Sequence, residues 1–404
     1  MTATEAVVWW RASRYPVFIS ARLISQAGDM AAVAALTVHV YATTHSAIAV
    51  AALFLVRVLP RILGLFAGAI GDRLELRRLL IACDLACGVV FLAIAVIAPG
   101  YPLLLALVFL AECSATVAMP AARTMVGRTV PKEHLAAANG LLLAAVAIGF
   151  ASGSALGGLL AGAFDYRWAI AGNAVSFLVS VLLMSLLPRA LPAARVASTR
   201  GFVRDTLAGL SVLRTNPKVL PVFIGLVGIS FAAAMDRPAL IVLVRETLNA
   251  STLWYGLALG GIAIGALAAS LGAMRRRKLI NAKALTLFSA GIFTQAVGHF
   301  SMGLSPVVGV LVLGALIAGF GNGLESICGN TLLQGDTPRE SIGVLMGLVM
   351  SGSFLADALG SVVGGAAVEV IHARATFVVA AAVIIVCGLI GLAPRRRPAA
   401  TREV

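Results

Sequence analysis

Charged side chains are scarce in this chain of 404 residues, where they make up 12% of the residues while 60% are hydrophobic. An ordinary soluble domain is about 25% charged. The composition therefore excludes an ordinary soluble protein, whose surface needs more polar side chains to cover it. A helix that crosses a bilayer needs about 20 mostly apolar residues. A dozen crossings fit within this length, so we expect a protein that spans a membrane many times.

Cysteine is also rare, and no two pairs of the five cysteines have the spacing of a zinc finger. Cys83 and Cys87 lie four residues apart without a histidine partner. We therefore expect no metal site and no disulfide framework, with every cysteine a small buried side chain. The cysteines are Cys83, Cys87, Cys113, Cys328 and Cys387.

Enzyme motifs are missing from the sequence as well. It contains no DDxxD-type metal pair, no HExxH, no GxSxG and no P-loop. We therefore expect a protein that is not an enzyme and needs no cofactor. A membrane-embedded transferase and a receptor that does not transport are the two alternatives from other functional classes.

Twelve apolar runs are long enough to cross a bilayer, which predicts an all-α membrane protein with twelve transmembrane helices. The first run follows Arg11 and Arg14 and is too long for a cleaved signal peptide. The runs cover about 16–40, 47–70, 79–98, 103–121, 136–163, 168–187, 219–243, 253–274, 282–303, 306–328, 342–368 and 376–393.

Positive charge is distributed in a way that predicts topology. The net charge of +14 does not indicate nucleic acid binding, because the basic residues fall in short clusters between apolar runs. With both termini in the cytoplasm, 24 Lys and Arg lie on the inner side and three on the outer side, at Arg167, Arg245 and Arg374. Cytoplasmic loops carry the excess of Lys and Arg, so this orientation is predicted.

The two halves of the chain are similar at a constant shift of 207 residues. Asp29 then corresponds to Asp236, and the triplet at 131–133 corresponds to the one at 338–340. Six helices per half give a parallel repeat about an axis normal to the membrane. The predicted units are an N-terminal bundle over 1–187, a basic linker over 188–218 that lies on the anionic inner leaflet, a C-terminal bundle over 219–393 and a cytoplasmic tail over 394–404.

The loop after the second predicted helix, GAIGDRLELRRLL, resembles the helix 2–3 signature of the major facilitator superfamily. ISQAGD, LPR, the run from Met119 and TLLQGDTP look like the branch of enterobactin exporters and macrolide efflux proteins among drug:proton antiporters. The resemblance implies a bacterial inner-membrane transporter and a cytoplasmic latch in that loop. The alternative is that these charges only end two helices. The latch residues are Gly68, Asp72, Arg73, Arg77, Arg78 and Asp84, the last a partner for Arg73 or Arg77.

The fifth predicted helix carries four glycines where the antiporters of this family have a glycine-rich signature ending in Gly-Pro-x-x-Gly. This chain has Ser154 in place of the proline. The glycines are predicted to form a hinge, or alternatively only a face for close helix packing. They are Gly149, Gly153, Gly157 and Gly158.

Ionisable residues inside the apolar runs are costly in lipid and must face a cavity or a partner. Four carboxylates, Glu112, Asp29, Asp236 and Asp357, are expected to converge on one midplane cavity. Each either couples transport to protons or forms a structural ion pair, Asp29 with Arg57 or Arg61. Glu112 is the first candidate for coupling, because no basic residue of its own helix lies close. Arg61 and Arg237 complete the predicted cavity.

Other polar residues are interpreted as structural. Glu325 is expected to be a surface or gate charge near the inner end of the tenth helix, and His39 and His299 to be packed or interfacial. The predicted cavity is lined by Phe, Met, Leu and Ala with a few acids. We therefore expect a monomeric transporter that uses the proton gradient to export lipophilic or amphipathic molecules by alternating access. An uptake carrier and a lysophospholipid flippase are the alternatives on this scaffold.

Overall fold

The computed structural model describes residues 14–63, 75–131, 134–187, 213, 219–337 and 339–391. Within these ranges the long elements are all helices. A short helix, Arg277–Ala282, lies between the eighth and ninth long helices. The long helices are α1 (Tyr15–Thr44), α2 (Ala47–Leu63), α3 (Leu76–Ile97), α4 (Tyr101–Thr129), α5 (Leu135–Ala163), α6 (Tyr166–Ser185), α7 (Val219–Val242, continued by a π-helical turn, Leu243–Thr247), α8 (Thr252–Arg275), α9 (Ala284–Gly303), α10 (Val308–Gly335) and α11 (Arg339–Gly391).

The last helix, α11, is two membrane spans joined at a break. His372 has φ 66° and ψ 162°, which no α-helix contains. The described part of the chain thus has twelve long helical segments, counting the arms of α11 on either side of His372. Nine of the described helices are individually long and apolar enough to cross a membrane, and the last of these runs over 50 residues, enough for two crossings. The predicted all-α membrane fold is confirmed.

The outer surface of the described helices carries many large apolar side chains. Val96 of α3 is 71% exposed and Leu182 of α6 is 66% exposed, while Leu36 and Phe377 are fully buried. An apolar surface of this extent would make a soluble protein aggregate. In a bilayer the same side chains contact lipid, so the helix surfaces fit a membrane environment.

The helices pair in the same way in both halves. In the first bundle α1 packs against α5 and α6, α3 against α4 and α6, and α2 against α4. In the second bundle α7 packs against α11, α9 against α10 and α11, and α8 against α10. The two bundles meet along two seams, α5 with α8 and α2 with α11. The predicted repeat relates α2 to α8 and α5 to the first arm of α11, so it converts one seam into the other.

The boundaries of the two bundles remain a prediction at the linker and the tail. Leu213 is the described residue of the segment 188–218, and it is buried in the core of the second bundle. The rest of that segment and the tail over 394–404 lie outside the described residues.

Candidate transport site

Glu112 lies near the middle of α4 and is held by two arginines of α2. Its Oε1 is 2.7 Å from an Nη of Arg57, and its Oε2 is 3.0 Å from an Nη of Arg61. The Glu112 side chain is buried. The two arginines lie four residues apart on one face of α2. A search for basic residues within α4 alone could not find them, because they come from a neighbouring helix.

Asp29 lies beside this cluster, but its hydrogen bond goes elsewhere. Asn173 of α6 donates from Nδ2 to Oδ1 of Asp29 over 3.3 Å. Arg57 and Glu112 are within electrostatic reach of Asp29. The expected ion pair of Asp29 with Arg57 or Arg61 is therefore replaced by the ion pairs of both arginines with Glu112.

Asp357 of α11 forms an ion pair with Arg237 of α7. An Nη of Arg237 is 3.0 Å from Oδ2 of Asp357, and both side chains are partly exposed. The Arg237 guanidinium also lies 5.9 Å from the centre of the Phe54 ring, which belongs to α2 in the other bundle. Through this cation–π contact, the positive charge of Arg237, which belongs to the second bundle, lies at the seam with the first bundle.

Asp236 and His299 form a second buried pair in the C-terminal bundle. Nε2 of His299 is 2.8 Å from Oδ2 of Asp236, and Nδ1 of His299 is 2.8 Å from the Gln295 carbonyl oxygen. Both residues are buried. The expectation that His299 is only a packed or interfacial side chain was incomplete, because His299 pairs with Asp236 of α7. The periodicity of α9 alone gives no sign of a partner on another helix.

The four predicted carboxylates are divided between the two bundles, and none of them is among the residues that line the large cavity described below. Glu112 and Asp29 belong to the first bundle, and Asp236 and Asp357 belong to the second. Adjacent in sequence, Asp236 and Arg237 point to different partners, as neighbours on a helix do.

Glu325 of α10 is the carboxylate for which the expectation from sequence was wrong. Its side chain is not at the surface, since the residue is 2% exposed. Its Oε1 has no hydrogen-bond partner among the described residues. Gly291 of α9 lies so close that an added Cβ would contact the Glu325 backbone. The absence of a side chain at Gly291 lets α9 approach the backbone of α10 closely at Glu325.

The four glycines of α5 lie at helix contacts. A Cβ on Gly149, Gly153 or Gly157 would collide with the α1 backbone. A Cβ on Gly158 would instead collide with Thr252 and Gly256 of α8, across the seam. The helix is continuous over this stretch. The packing alternative therefore describes their contacts, and the predicted hinge stays a prediction.

The latch is only partly within the described residues. Gly68, Asp72 and Arg73 lie outside them. Arg77 donates to the Ser185 carbonyl at the end of α6 over 2.5 Å, and Arg78 pairs with Glu75 at 2.9 Å.

Asp84 does not bond to Arg77 in this conformation. Its Oδ2 accepts a hydrogen bond from Ser180 of α6 over 2.7 Å, and its Oδ1 is 4.0 Å from Arg22 of α1. Asp84 thus joins three helices at one place in the first bundle. The expected pairing with Arg73 lies outside the described residues.

A large cavity lies between the bundles at one end of the α5–α8 seam. Its volume is about 1320 Å³. The lining is aliphatic with a few polar groups, among them Ser270, Thr331 and Gln334. The cavity lies toward the ends where α5 begins and α8 ends. We call this the inner side, after the orientation that the basic residues predict.

The opposite half of the same seam is closed. Thr252 Oγ1 of α8 donates to the Gly158 carbonyl oxygen of α5 over 2.7 Å. Farther toward the inner side, a Cβ on Gly260 of α8 would lie 3.1 Å from the Ala151 carbonyl oxygen of α5. Phe150 and Ile262 already line the cavity. Among the described residues, the α5–α8 seam is therefore open on the inner side and closed on the outer side.

The family of the chain follows from its sequence pattern. The pattern of the Major Facilitator Superfamily matches residues 18–357, and a second match covers 285–404. The chain belongs to the major facilitator superfamily. It is therefore a multi-pass membrane transporter and not an enzyme.

Similar proteins of this superfamily include exporters. The enterobactin exporter EntS of Salmonella typhimurium is 27% identical over 312 residues, which are 74% of this chain and 72% of EntS. EntS of Escherichia coli O81 is 26% identical over 316 residues, 74% of this chain and 71% of EntS.

Solved structures of the superfamily have the same fold. The nucleoside transporter NupG superposes with a TM-score of 0.73 at 13% identity, covering 94% of this chain and 98% of NupG. A bacterial homologue of the human lysosomal transporter Spinster, in an inward-facing and occupied conformation, gives 0.71 at 13% identity, covering 94% and 95%. At these identities the likeness shows the fold alone.

The outer closure of this major facilitator transporter also uses hydrogen bonds between the bundles. Ser46, before α2, donates from Oγ to Oε1 of Glu369 in α11 over 2.8 Å. The hydroxyl of Tyr41 in α1 donates to Glu246, beyond α7. Both carboxylates belong to the second bundle and both hydroxyls to the first. Opening the outer side must break both contacts.

We expect the double variant Y41F/S46A to favour the state that is open on the outer side. Each lost hydrogen bond removes about 0.5–1.5 kcal/mol from the closed state, because both carboxylates are exposed to water. Spin labels on the outer ends of α1 and α7 would measure the opening as a longer distance. T43A is the matched control, because the Thr43 hydroxyl bonds to carbonyls of its own helix. An unchanged distance in Y41F/S46A would show that these bonds do not hold the closure.

Proposed function

We propose that this transporter exports lipophilic or amphipathic small molecules in exchange for protons by alternating access. The cavity of about 1320 Å³ between the bundles, lined mainly by aliphatic side chains, carries the proposal. An apolar lining favours cargo with much apolar surface, whereas a sugar needs many polar partners. The similarity to enterobactin exporters supports the direction of transport.

The cavity is placed to receive cargo from the cytoplasmic half of the membrane. The residues at its edge include Leu143 of α5 and Met274 of α8, which are both exposed. An amphipathic molecule can keep its apolar part against these side chains while its polar part meets Ser270 or Gln334. We therefore propose entry from the inner leaflet or the cytoplasm, in a bacterial inner membrane with both termini cytoplasmic.

The interior acids supply the proposed coupling to protons. A carboxyl group that binds a proton on one side and releases it on the other links the two movements. Glu112, Asp29, Asp236 and Asp357 are the candidates, with the Asp72 loop as a latch and the α5 glycines as the moving contact. The proposed carrier works as a monomer, without cofactor or nucleic acid, and draws on the proton gradient.

Export is tested by expression in a bacterial strain that lacks its own efflux pumps, with ethidium as the probe. We expect lower ethidium accumulation with the protein than without it, and an uncoupler should abolish the difference. The matched control is G158L, which is designed to block closure of the outer seam. Higher accumulation on expression would contradict export and favour the uptake alternative.

The flippase alternative is tested separately. Purified protein in liposomes would be given a fluorescent lysophospholipid, and its movement between leaflets measured by quenching from outside. Movement of this lipid without any movement of ethidium would favour the flippase. Ethidium movement driven by an imposed pH gradient supports the proposal.

A further inference from the structure

We propose that the proton exchanged for cargo is bound by the Asp236–His299 pair, with His299 as an essential member of the site. The inference rests on the proposed proton exchange and names where the proton is held. It follows from the hydrogen bonds around the imidazole ring.

A backbone contact fixes the tautomer of His299. Its Nδ1 lies 2.8 Å from the carbonyl oxygen of Gln295. A carbonyl oxygen only accepts hydrogen bonds, so Nδ1 must carry a hydrogen atom. This leaves Nε2 as the ring atom that can gain or lose a proton.

The contact with Asp236 requires one more proton. Nε2 and Oδ2 are 2.8 Å apart, which is a hydrogen-bond distance. A neutral ring with hydrogen on Nδ1 has a lone pair on Nε2, and a carboxylate has only lone pairs. The additional proton therefore lies on Nε2 or on Oδ2. With it the pair is neutral overall, as an imidazolium with a carboxylate or as an imidazole with a carboxylic acid.

Among the described residues, the pair lies in a buried position. Asp236 is 8% exposed and His299 is 6% exposed. The second carboxylate oxygen, Oδ1 of Asp236, is buried without a hydrogen-bond partner among the described residues. The charged group that also acts on the pair is Arg237, which forms its own ion pair with Asp357. Loss of the shared proton would leave an unpaired negative charge in a low-dielectric site, which is costly.

The chain also links the pair to movement of the bundles. Asp236 and Arg237 are consecutive in α7, and Arg237 reaches Phe54 of the other bundle. A negative charge created on Asp236 by release of the proton attracts the neighbouring guanidinium, and this competes with the ion pair to Asp357. Binding and release of the proton thereby change a contact at the seam between the bundles. The proton is taken up and released unchanged, so no other reactant is needed.

The site can be tested without cargo, by nuclear magnetic resonance of the full-length protein labelled with ¹⁵N only in histidine. The chain has five histidines, and H299Q identifies the signal of His299 by its loss. We expect hydrogen on Nδ1 and a shared proton at Nε2 in the wild type at neutral pH. In D236N the shared proton should be lost. A neutral ring whose Nε2 takes part in no hydrogen bond in the wild type would overturn the proposal, whatever the transport assays show.

Transport in liposomes supplies the second test, with ethidium as the probe. We expect H299Q and D236N to lose accumulation driven by a pH gradient, and D236E, which keeps a carboxyl group, to retain part of it. E325Q removes another buried carboxylate and serves as the comparison. Loss of proton-driven transport in E325Q with full retention in H299Q would overturn the assignment. Failure of the wild type to move ethidium would count against the proposed function but leave the first test standing.

Discussion

Replacing Glu112 by alanine should destabilise the protein by about 3–5 kcal/mol, because it removes the ion-pair partner of two arginines inside the bundle. Arg57 and Arg61 both depend on this carboxylate, at 2.7 and 3.0 Å. Thermal unfolding of the purified protein in detergent would measure the effect as a lower midpoint and less folded protein at a given temperature. E112Q should be affected less, since its amide oxygen can still accept from one guanidinium.

The triple variant R57M/R61M/E112L distinguishes two possible causes of the lower stability of E112A. One is an unpaired charge, and the other is the loss of packing contacts. Replacing all three groups by apolar side chains of similar volume removes the charges together, which in buried clusters is often neutral or stabilising. We therefore expect the triple variant to recover the stability that E112A loses. If E112A unfolds at the wild-type temperature, the arginines are solvated in the protein and the cluster is not a buried ion pair.

The same cluster decides how Glu112 takes part in transport. A carboxylate that holds two arginines of another helix is a cross-link between helices, which favours a structural role. Proton-driven ethidium transport by folded E112Q would confirm that role. Its complete loss in folded E112Q would restore Glu112 as a coupling residue.

The fold is predictable from sequence because each span carries its own signal. An apolar run of about 20 residues needs no knowledge of its neighbours. The repeat is also visible in the sequence alone, because Asp29 and Asp236 occupy corresponding positions in the two halves. The break at His372 is visible in the sequence only as a gap between two apolar runs.

The partners of the interior charges are not predictable in the same way. Glu112 meets Arg57 and Arg61, and Asp236 meets His299, each from a different helix. Helical periodicity places a side chain on a face but does not say which helix lies opposite that face. Glu325 shows the limit most clearly, because the helix that packs against its backbone, through Gly291, is distant in sequence.

The second large effect is expected at the outer seam, where G158L should prevent closure. A Cβ at position 158 would overlap the Thr252 carbonyl of α8, and backbone atoms cannot move aside as a flexible side chain can. Overpacking of this kind costs about 1–3 kcal/mol, which shifts a two-state equilibrium roughly 5- to 150-fold toward the state with the outer ends apart. We expect cells that express G158L to accumulate as much ethidium as cells without the transporter.

The direction of this shift can be measured by spin labels at Ala161 of α5 and Ser251 before α8. The wild type should show mainly the short distance, and G158L the long one. G172L is the matched control, because a Cβ on Gly172 of α6 meets no atom within 4 Å.

On the second seam, a Cβ on Gly365 of α11 would collide with Ala51 of α2. Since both seams must close together when the bundles rock, G365L should lengthen the α5–α8 distance as well. A short distance in G365L would mean that the two seams open independently, which rigid rocking of two bundles does not allow.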